Sequence, residues 1–339
     1  MPGETICRVF TELFYKKEAG KIVEEKVNFE PSGWQELMLV AASIKLGLFE
    51  ALAEKPSGVR ELAVAKGYDL RATQVLVQAL AELGHLREEG GRYHVSEAMM
   101  AVAVDPGSPS YAPNSIMHSW NLMERWLTVP EVVWSGRQVE RPYTKERRGV
   151  FIRSMHDLSR SSAPEVVGWC LERKPDTGSV LDLGGGPGTY ARLFAERGIP
   201  VTIVDVPPVV EMMAPELAAW PEITLFGADF NESLPEGAFN LVFMGNILHI
   251  YGPQENRDLL KRAREVLAPG GLLAIIDIFR GKSLRAALFA VTMLVNTDSG
   301  GTWTEEEYRS WLEETGYANI EIKDLSDRDS QLILADRDG

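Results

Sequence analysis

The sequence predicts an α/β protein: a Rossmann-like, doubly wound and mostly parallel sheet preceded by a smaller helical domain. Three observations carry this. The apolar runs Val180-Leu-Asp-Leu183 and Val201-Thr-Ile-Val204 flank a helical pattern, Tyr190-Ala-Arg-Leu-Phe-Ala-Glu-Arg197, as in a strand–helix–strand unit. A glycine-dense turn, Gly184-Gly-Gly-Pro-Gly188, joins the first run to the helix. Strand and helix patterns keep alternating toward the C-terminus, whereas the first hundred or so residues read as helices and one hairpin.

In chain order, Trp34 to Ala53 has helical spacing through Leu37, Val40, Ala41, Ile44, Leu48 and Leu52. Val59 to Lys66 is a short helix, and Leu70 to Leu83 is a second that stops at Gly84, a natural residue just past a helix end. His85-Leu-Arg and Arg92-Tyr-His-Val flank Gly90-Gly91 as a hairpin, which places His85 and His94 on the surface. Helix, turn, helix and hairpin make a winged-helix-like pattern. A DNA-reading role would need several cations on the second helix, which offers only Arg71, so packing or dimerisation is the preferred reading. Asp105 to Pro113 is a linker by composition. Ser115 to Val133 reads as one helix with Met117, Trp120, Met123, Trp126 and Leu127 near one face, a stripe that suits a core more often than a pocket. Arg147 to Cys170 reads as further helix. The domains are thus 1–104 (helical, winged-helix-like, dimerising), 105–165 (linker and pocket helices) and 166–339 (cofactor-binding).

After Asp205, Pro207-Pro208 opens a helix toward Leu217, and Ile223-Thr-Leu-Phe226 is a short strand. Asn240 to Met244 is a strand and Glu255 to Leu267 a helix. Pro269-Gly270-Gly271 is a tight turn into the strand Leu272 to Asp277. A helix capped by Thr304 ends near Gly316, and Asn319 to Lys323 and Gln331 to Ala335 close the chain as strands.

The chain has 339 residues, suited to two domains. A net charge of −14 repels nucleic acid and anionic membranes. Cys7 and Cys170 form neither a disulfide framework nor a zinc pattern. Residues 1–30 mix charges of both signs and do not read as a signal peptide. The apolar stretch Leu284 to Val295 contains Arg285 and is too short to span a bilayer. A reducing, cytoplasmic setting is expected.

The glycine turn fails the dinucleotide fingerprint, because Thr189 stands where the third glycine belongs, and it lacks the lysine of a phosphate-binding loop. Asp182 would repel a phosphate but attract a cationic ligand, and Asp205 at the tip of the second strand can take both hydroxyls of a ribose. S-adenosylmethionine, with its amino group and sulfonium, fits that description.

From about Trp34 onward the chain resembles the S-adenosylmethionine-dependent small-molecule O-methyltransferases: the plant caffeate and flavonoid enzymes, and bacterial relatives that tailor polyketides, carotenoids and chlorins. The resemblance rests on Val180 to Gly188, on Asp205 with Val206, and on Gly227-Ala-Asp-Phe230. It extends to Phe151-Ile-Arg-Ser-Met-His-Asp-Leu-Ser159 and to Asn246-Ile-Leu-His249. It implies the class I methyltransferase form of the fold and S-adenosyl-L-methionine as cofactor. The cofactor would be held by Asp182, Gly184, Gly185, Gly186, Gly188, Asp205, Val206, Asp229, Phe230, Gly245, Asn246, Met155 and Ser159. It implies His249 as general base, with Asp277 as its acidic partner. The acceptor pocket is expected from Met117, Trp120, Met123, Asn296 and Trp303, with no metal. A homodimer joined through the N-terminal domain (Leu37, Leu39, Val40, Ile44, Leu48, Phe49) is also implied, with a small, aromatic or polycyclic, hydroxylated acceptor.

Three departures stand out. Ile250 follows His249 where the plant enzymes have Asp. Thr302 and Trp303 replace their Glu and Arg, and Gly245 stands where they often have a cofactor-contacting Lys. Three alternatives therefore accompany the main expectation: methylation of a ring carbon, use of the cofactor without methyl transfer, and a cofactor-responsive DNA-binding regulator. His118, on the Met/Trp helix, and His156, on the cofactor-facing helix, are the other histidines that could line a site.

Overall fold

The computed structural model describes residues 32–142, 144–326 and 329–338. Cys7 and the mixed-charge N-terminal stretch lie outside the described residues. The chain divides into two compact units, 1–121 and 122–339.

In the first unit, α1 (Ser32–Leu46) and α2 (Leu48–Glu54) replace the single helix expected from Trp34 to Ala53. Gly47 breaks it with φ 69°, a left-handed conformation that only glycine adopts without strain. α3 (Val59–Lys66) follows, then α4 (Leu70–Glu82), whose first turn is capped by Asp69 accepting from the Ala72 N–H at 2.8 Å. β1 (Leu86–Glu89) and β2 (Arg92–Val95) form the expected antiparallel hairpin. Residues Glu97–Met99 lead into a π-helical turn, Met100–Val104, and then α5 (Pro113–Trp126).

The core of this unit gathers Val40, Leu48, Phe49, Leu52, Val77, Leu80, Leu86 and Met99, with Met117 and Trp120 packed against it. Its surface exposes Trp34 and Leu46. His85 corrects the surface expectation. It is buried, and its Nε2 lies 2.9 Å from Glu36 Oε1 on α1. Gly84 turns the chain with φ 78° and the His85 N–H closes on the Leu80 carbonyl, which carries the residue beneath the hairpin.

In the second unit, the helix expected through Val133 stops at Trp126, and α6 (Val129–Ser135) starts afresh. The Thr128 hydroxyl donates to the Arg125 carbonyl at 2.7 Å, and Pro130 lacks the N–H a continuous helix would need. The helical stretch expected from Arg147 to Cys170 is likewise two helices, α7 (Lys145–Ser159) and α8 (Ala163–Arg173), the second opened by Pro164.

The sheet contains β3 (Val180–Leu183), β4 (Val201–Asp205), β5 (Ile223–Gly227), β6 (Phe239–Gly245), β7 (Leu267–Asp277), β8 (Tyr317–Asp324) and β9 (Gln331–Arg337), in the spatial order β5-β4-β3-β6-β7-β9-β8. β3 to β7 pair in parallel; β9 is antiparallel to both β7 and β8. β7 begins five residues before the expected Leu272. Its pairing jumps from Phe239↔Leu267 to Leu241↔Leu272, so the Pro269-Gly270-Gly271 turn is an irregularity inside the strand.

The crossovers are α9 (Thr189–Ala195), α10 (Pro207–Leu217) and α11 (Pro253–Val266), followed by α12 (Leu284–Asn296) and α13 (Glu305–Glu314). Val180, Phe243 and Leu272 face one core, whereas Leu181, Val242 and Leu273 face the other. Strands buried on both faces explain the near-continuous apolar runs. Strand order reverses at β3, so a crevice forms beyond the carboxyl ends of β3 and β6, where open α/β sheets bind ligands. No helix among the described residues is long and apolar enough to cross a membrane.

Candidate active site

Every loop at the carboxyl edge of the sheet's parallel strands brings a residue singled out in the sequence. β3 ends in the glycine turn. Gly184 has φ 67°, and a Cβ there would collide with the Ile247 side chain and stand 3.6 Å from Phe230. The turn is packed too closely there for any side chain, whereas a Cβ at Gly186 would meet nothing nearer than 3.7 Å and would fill the cradle beside Asp205 Oδ2, 3.8 Å away. Asp182, the third residue of β3, is buried, and its Oδ2 has no hydrogen-bond partner. Burial, and then the nearby Asp205, push its carboxyl up to about 8. β4 ends at Asp205, whose Oδ2 accepts from the Gly186 N–H at 3.0 Å and whose Oδ1 accepts from the Val206 N–H at 2.8 Å. Burial raises its pKa, and the two N–H donors oppose the shift. Each oxygen keeps an acceptor site for a hydroxyl.

α7 lies over this turn. Ile152 is the nearest side chain to the space beyond Gly186, at 3.7 Å, and His156 Nδ1 lies 2.9 Å from Thr189 Oγ1 at the start of α9. Met155, half-buried, and Ser159, buried, belong to the same helix. Burial, then Arg192 and Arg160, lower the His156 pKa, which leaves it a neutral tether. β5 leads to Asp229, exposed, and Phe230, buried. Phe230 meets Tyr251 edge-on at 6.3 Å, and Asn231 donates to the Tyr251 hydroxyl at 2.8 Å. Gly245 closes β6 against Tyr190, and Asn246 holds φ 61° while its N–H reaches the Ile276 carbonyl. That left-handed residue tips the chain off the sheet into the 3₁₀ turn Leu248–Ile250.

His249 sits in that turn, buried. Its Nδ1 is 2.7 Å from Oδ1 of Asp277, the last residue of β7, and its backbone N–H donates to Oδ2 at 3.1 Å. The Ile278 N–H adds a third donor to Asp277 at 2.8 Å. Phe289 of α12 packs its ring edge-on to the imidazole at 4.8 Å. Behind Asp277 lies Tyr308, fully buried and stacked on Phe279; burial and the Asp277 carboxylate hold its phenol well above the usual value. Thr302 is buried with its hydroxyl unpartnered. With Nδ1 engaged by a carboxylate, Nε2 is left as the acceptor of a proton.

The expected acceptor residues are less gathered. Met117 and Trp120 pack on the core of the first unit, with Lys45 Nζ 5.9 Å over the Trp120 ring. Met123 is half-buried. Asn296 turns its amide onto the Thr292 carbonyl at 2.8 Å. Trp303 directs its indole N–H to the Leu248 carbonyl at 3.2 Å. His118 is pushed down to about 4 by burial and is a poor base. Among the described residues no group of His, Cys, Asp or Glu side chains could hold a metal ion. Phe289, Tyr251, Asn256 and Tyr308 were not singled out in the sequence. Each is a lone residue in an otherwise ordinary helix or turn.

Residues 142–318, just over half of the chain, match the O-methyltransferase domain family. The chain belongs to that family. Among its curated relatives, the 3-hydroxy-5-methyl-1-naphthoate 3-O-methyltransferase of Streptomyces sahachiroi is 29% identical over 305 residues, covering 85% of this chain and 87% of the relative. The tetracenomycin polyketide synthesis 8-O-methyl transferase TcmO of Streptomyces glaucescens is 24% identical, covering 86% and 91%. Human N-acetylserotonin methyltransferase, solved in complex with SAM, shares the fold. Its TM-score is 0.78 at 22% identity, covering 91% of this chain and 95% of the other. The family's cofactor, S-adenosylmethionine, is matched by the glycine cradle, the orphaned Asp182 oxygen and the diol-ready Asp205.

Proposed function

We propose that this O-methyltransferase transfers a methyl group from S-adenosylmethionine to a hydroxyl on an aromatic, polyketide-type ring, with His249 as general base. The observation that carries this reading is the His249–Asp277 pair at the carboxyl edge of β6 and β7. Bound in the crevice, the cofactor supplies an electrophilic methyl group on a sulfonium. Asp205 would take the ribose hydroxyls, Asp182 would meet the cationic end, and Gly184 to Gly188 would let the backbone approach. Phe230, with Asp229 beside it, would border the adenine, and Val206, Gly245, Asn246, Met155 and Ser159 would complete the contacts.

A phenol with a pKa near ~10 is a poor nucleophile at pH 7 until its proton is removed. His249 Nε2 accepts that proton, while Asp277 fixes the ring through Nδ1 and stabilises the imidazolium that forms. Phe289 screens one side of the ring from water. The naphthoate and tetracenomycin relatives support a fused aromatic acceptor, with Met123 and Asn296 as candidate contacts. The reaction draws its activation from the sulfonium and needs no metal, so a chelator should leave turnover unchanged.

His249→Ala should lower turnover by about 10²–10⁴-fold with cofactor affinity nearly intact. Near-full turnover in that variant would remove His249 as base. A mass-spectrometric screen of hydroxynaphthoates and larger polycyclic phenols with isotope-labelled cofactor identifies the acceptor.

The protein acts as a cytoplasmic homodimer in this reading. Val40, Leu48 and Phe49 are spent on the unit's own core, so the pairing surface falls to exposed Trp34 and Leu46 and half-buried Leu37, Leu39 and Ile44. Light scattering at micromolar concentration should give twice 37.6 kDa; a monomer would refute it.

A further inference from the structure

The turn that carries His249 is three residues long, a 3₁₀ segment whose own hydrogen bonds are poor. Asp277 binds both the ring and the backbone N–H of His249, so a small rotation of this turn would break two bonds at once. Side chains from two other elements hold the turn. Asn256, on α11 and fully buried, donates its amide to the Leu248 carbonyl at 2.9 Å and to the Tyr251 carbonyl at 3.2 Å. Trp303, just before α13, donates its indole N–H to the same Leu248 carbonyl at 3.2 Å. The Gly301 N–H donates to the His249 carbonyl at 2.9 Å.

Asn256 is arranged at a cost. Its Oδ1 is buried without a partner, and leaving a buried acceptor orphaned is destabilising. Turning the amide over would set Oδ1 against two carbonyls, so the donors are what this position supplies. The same stretch of sequence lacks the acids that the resemblance led one to expect, having Ile250 after His249 and Thr302 before Trp303.

We propose that Asn256 and Trp303 are positioning residues that fix the His249 turn from behind, in place of those acidic partners. Trp303 thereby moves from the acceptor pocket to the support of the base. The proposal rests on His249 being the base.

The test uses the full chain labelled with ¹⁵N-histidine, which has five histidines. A ring N–H bonded to a buried carboxylate gives a strongly deshielded, slowly exchanging proton signal. His249→Ala should remove it and so assign it. Trp303→Phe keeps an aromatic ring against Trp311 but lacks the N–H, and Asn256→Leu removes both amide donors. In each, the signal should move upfield or broaden through exchange, and kcat should fall at least fivefold, while S-adenosylmethionine affinity by calorimetry stays within twofold. An unchanged signal and kcat in a cooperatively melting Trp303→Phe protein overturns the proposal, whether or not Asn256→Leu folds. Loss of kcat with an unchanged signal also overturns it and returns Trp303 to the acceptor pocket. If His249→Ala removes no such signal and retains turnover, the reading of His249 as base has failed instead.

Discussion

Asp277 binds one residue twice: its Oδ1 engages the His249 ring at 2.7 Å and its Oδ2 accepts the same residue's backbone N–H at 3.1 Å. The carboxylate therefore orients the imidazole and anchors the turn beneath it. Two carboxylate oxygens meeting three donors leave no equivalent arrangement for an amide.

Asp277→Asn should accordingly fold but turn over more slowly. Either amide orientation points an NH₂ group at a donor now bonded to Asp277. Losing a charged hydrogen bond costs about 1.5–3 kcal/mol, which is roughly a 10- to 150-fold loss in kcat. Steady-state kinetics beside calorimetric cofactor binding checks it; a loss confined to cofactor affinity would contradict the assigned role.

Asp182 predicts a proton released on cofactor binding. Burial and Asp205 hold its carboxyl at about 8, against 3.8 in the unfolded chain. Between those values the folded chain keeps a proton that the unfolded chain has given up. Stability of the ligand-free protein should therefore fall as pH rises from about 4 to about 8. A cationic ligand beside Asp182 favours the carboxylate and expels the proton. Binding enthalpies of S-adenosylmethionine at pH 7 should then differ between two buffers of different ionisation enthalpy, and Asp182→Asn should abolish the difference. Equal enthalpies in the wild-type protein would rule the release out.

Asp205→Ala should weaken S-adenosylmethionine binding by about 1.5–3 kcal/mol, since the variant loses acceptors for the ribose hydroxyls. The Gly186 N–H also loses its partner, so the glycine turn should loosen. Hydrogen exchange should show faster exchange at residues 184–188 in the variant. Unaltered affinity would take Asp205 out of the site.

The parts legible in the sequence were those whose signal is local. The glycine turn, Asp205 and the strands around them announce themselves within a few residues, because a backbone that must approach a ligand needs glycine at successive positions. His249 and Asp277 were paired through the resemblance, although 28 residues separate them. Asn256 was invisible: one polar residue on an amphipathic helix looks like its solvated neighbours until the helix is docked and that position proves fully buried. The burial of His85 is hidden for the same reason, because its partner Glu36 comes from a helix 49 residues earlier. The helix breaks at Gly47, Leu127 and Arg160 leave no mark in the sequence, because apolar spacing continues across a single turn of altered backbone.

Gly300 has a wider consequence. A Cβ there would strike the backbone carbonyls of His249 and Ile250, so the segment around it is fitted to the base turn without clearance. Descendants of this scaffold that acquire new acceptors are constrained to keep glycine at position 300, because a side chain there displaces the base turn. Divergence has freer ground at Asn296 of α12, which bonds only within its own helix, than at Phe289, which packs on the base. A directed-evolution library aimed at altered regioselectivity should accordingly randomise Asn296 and hold Phe289 and Gly300 constant.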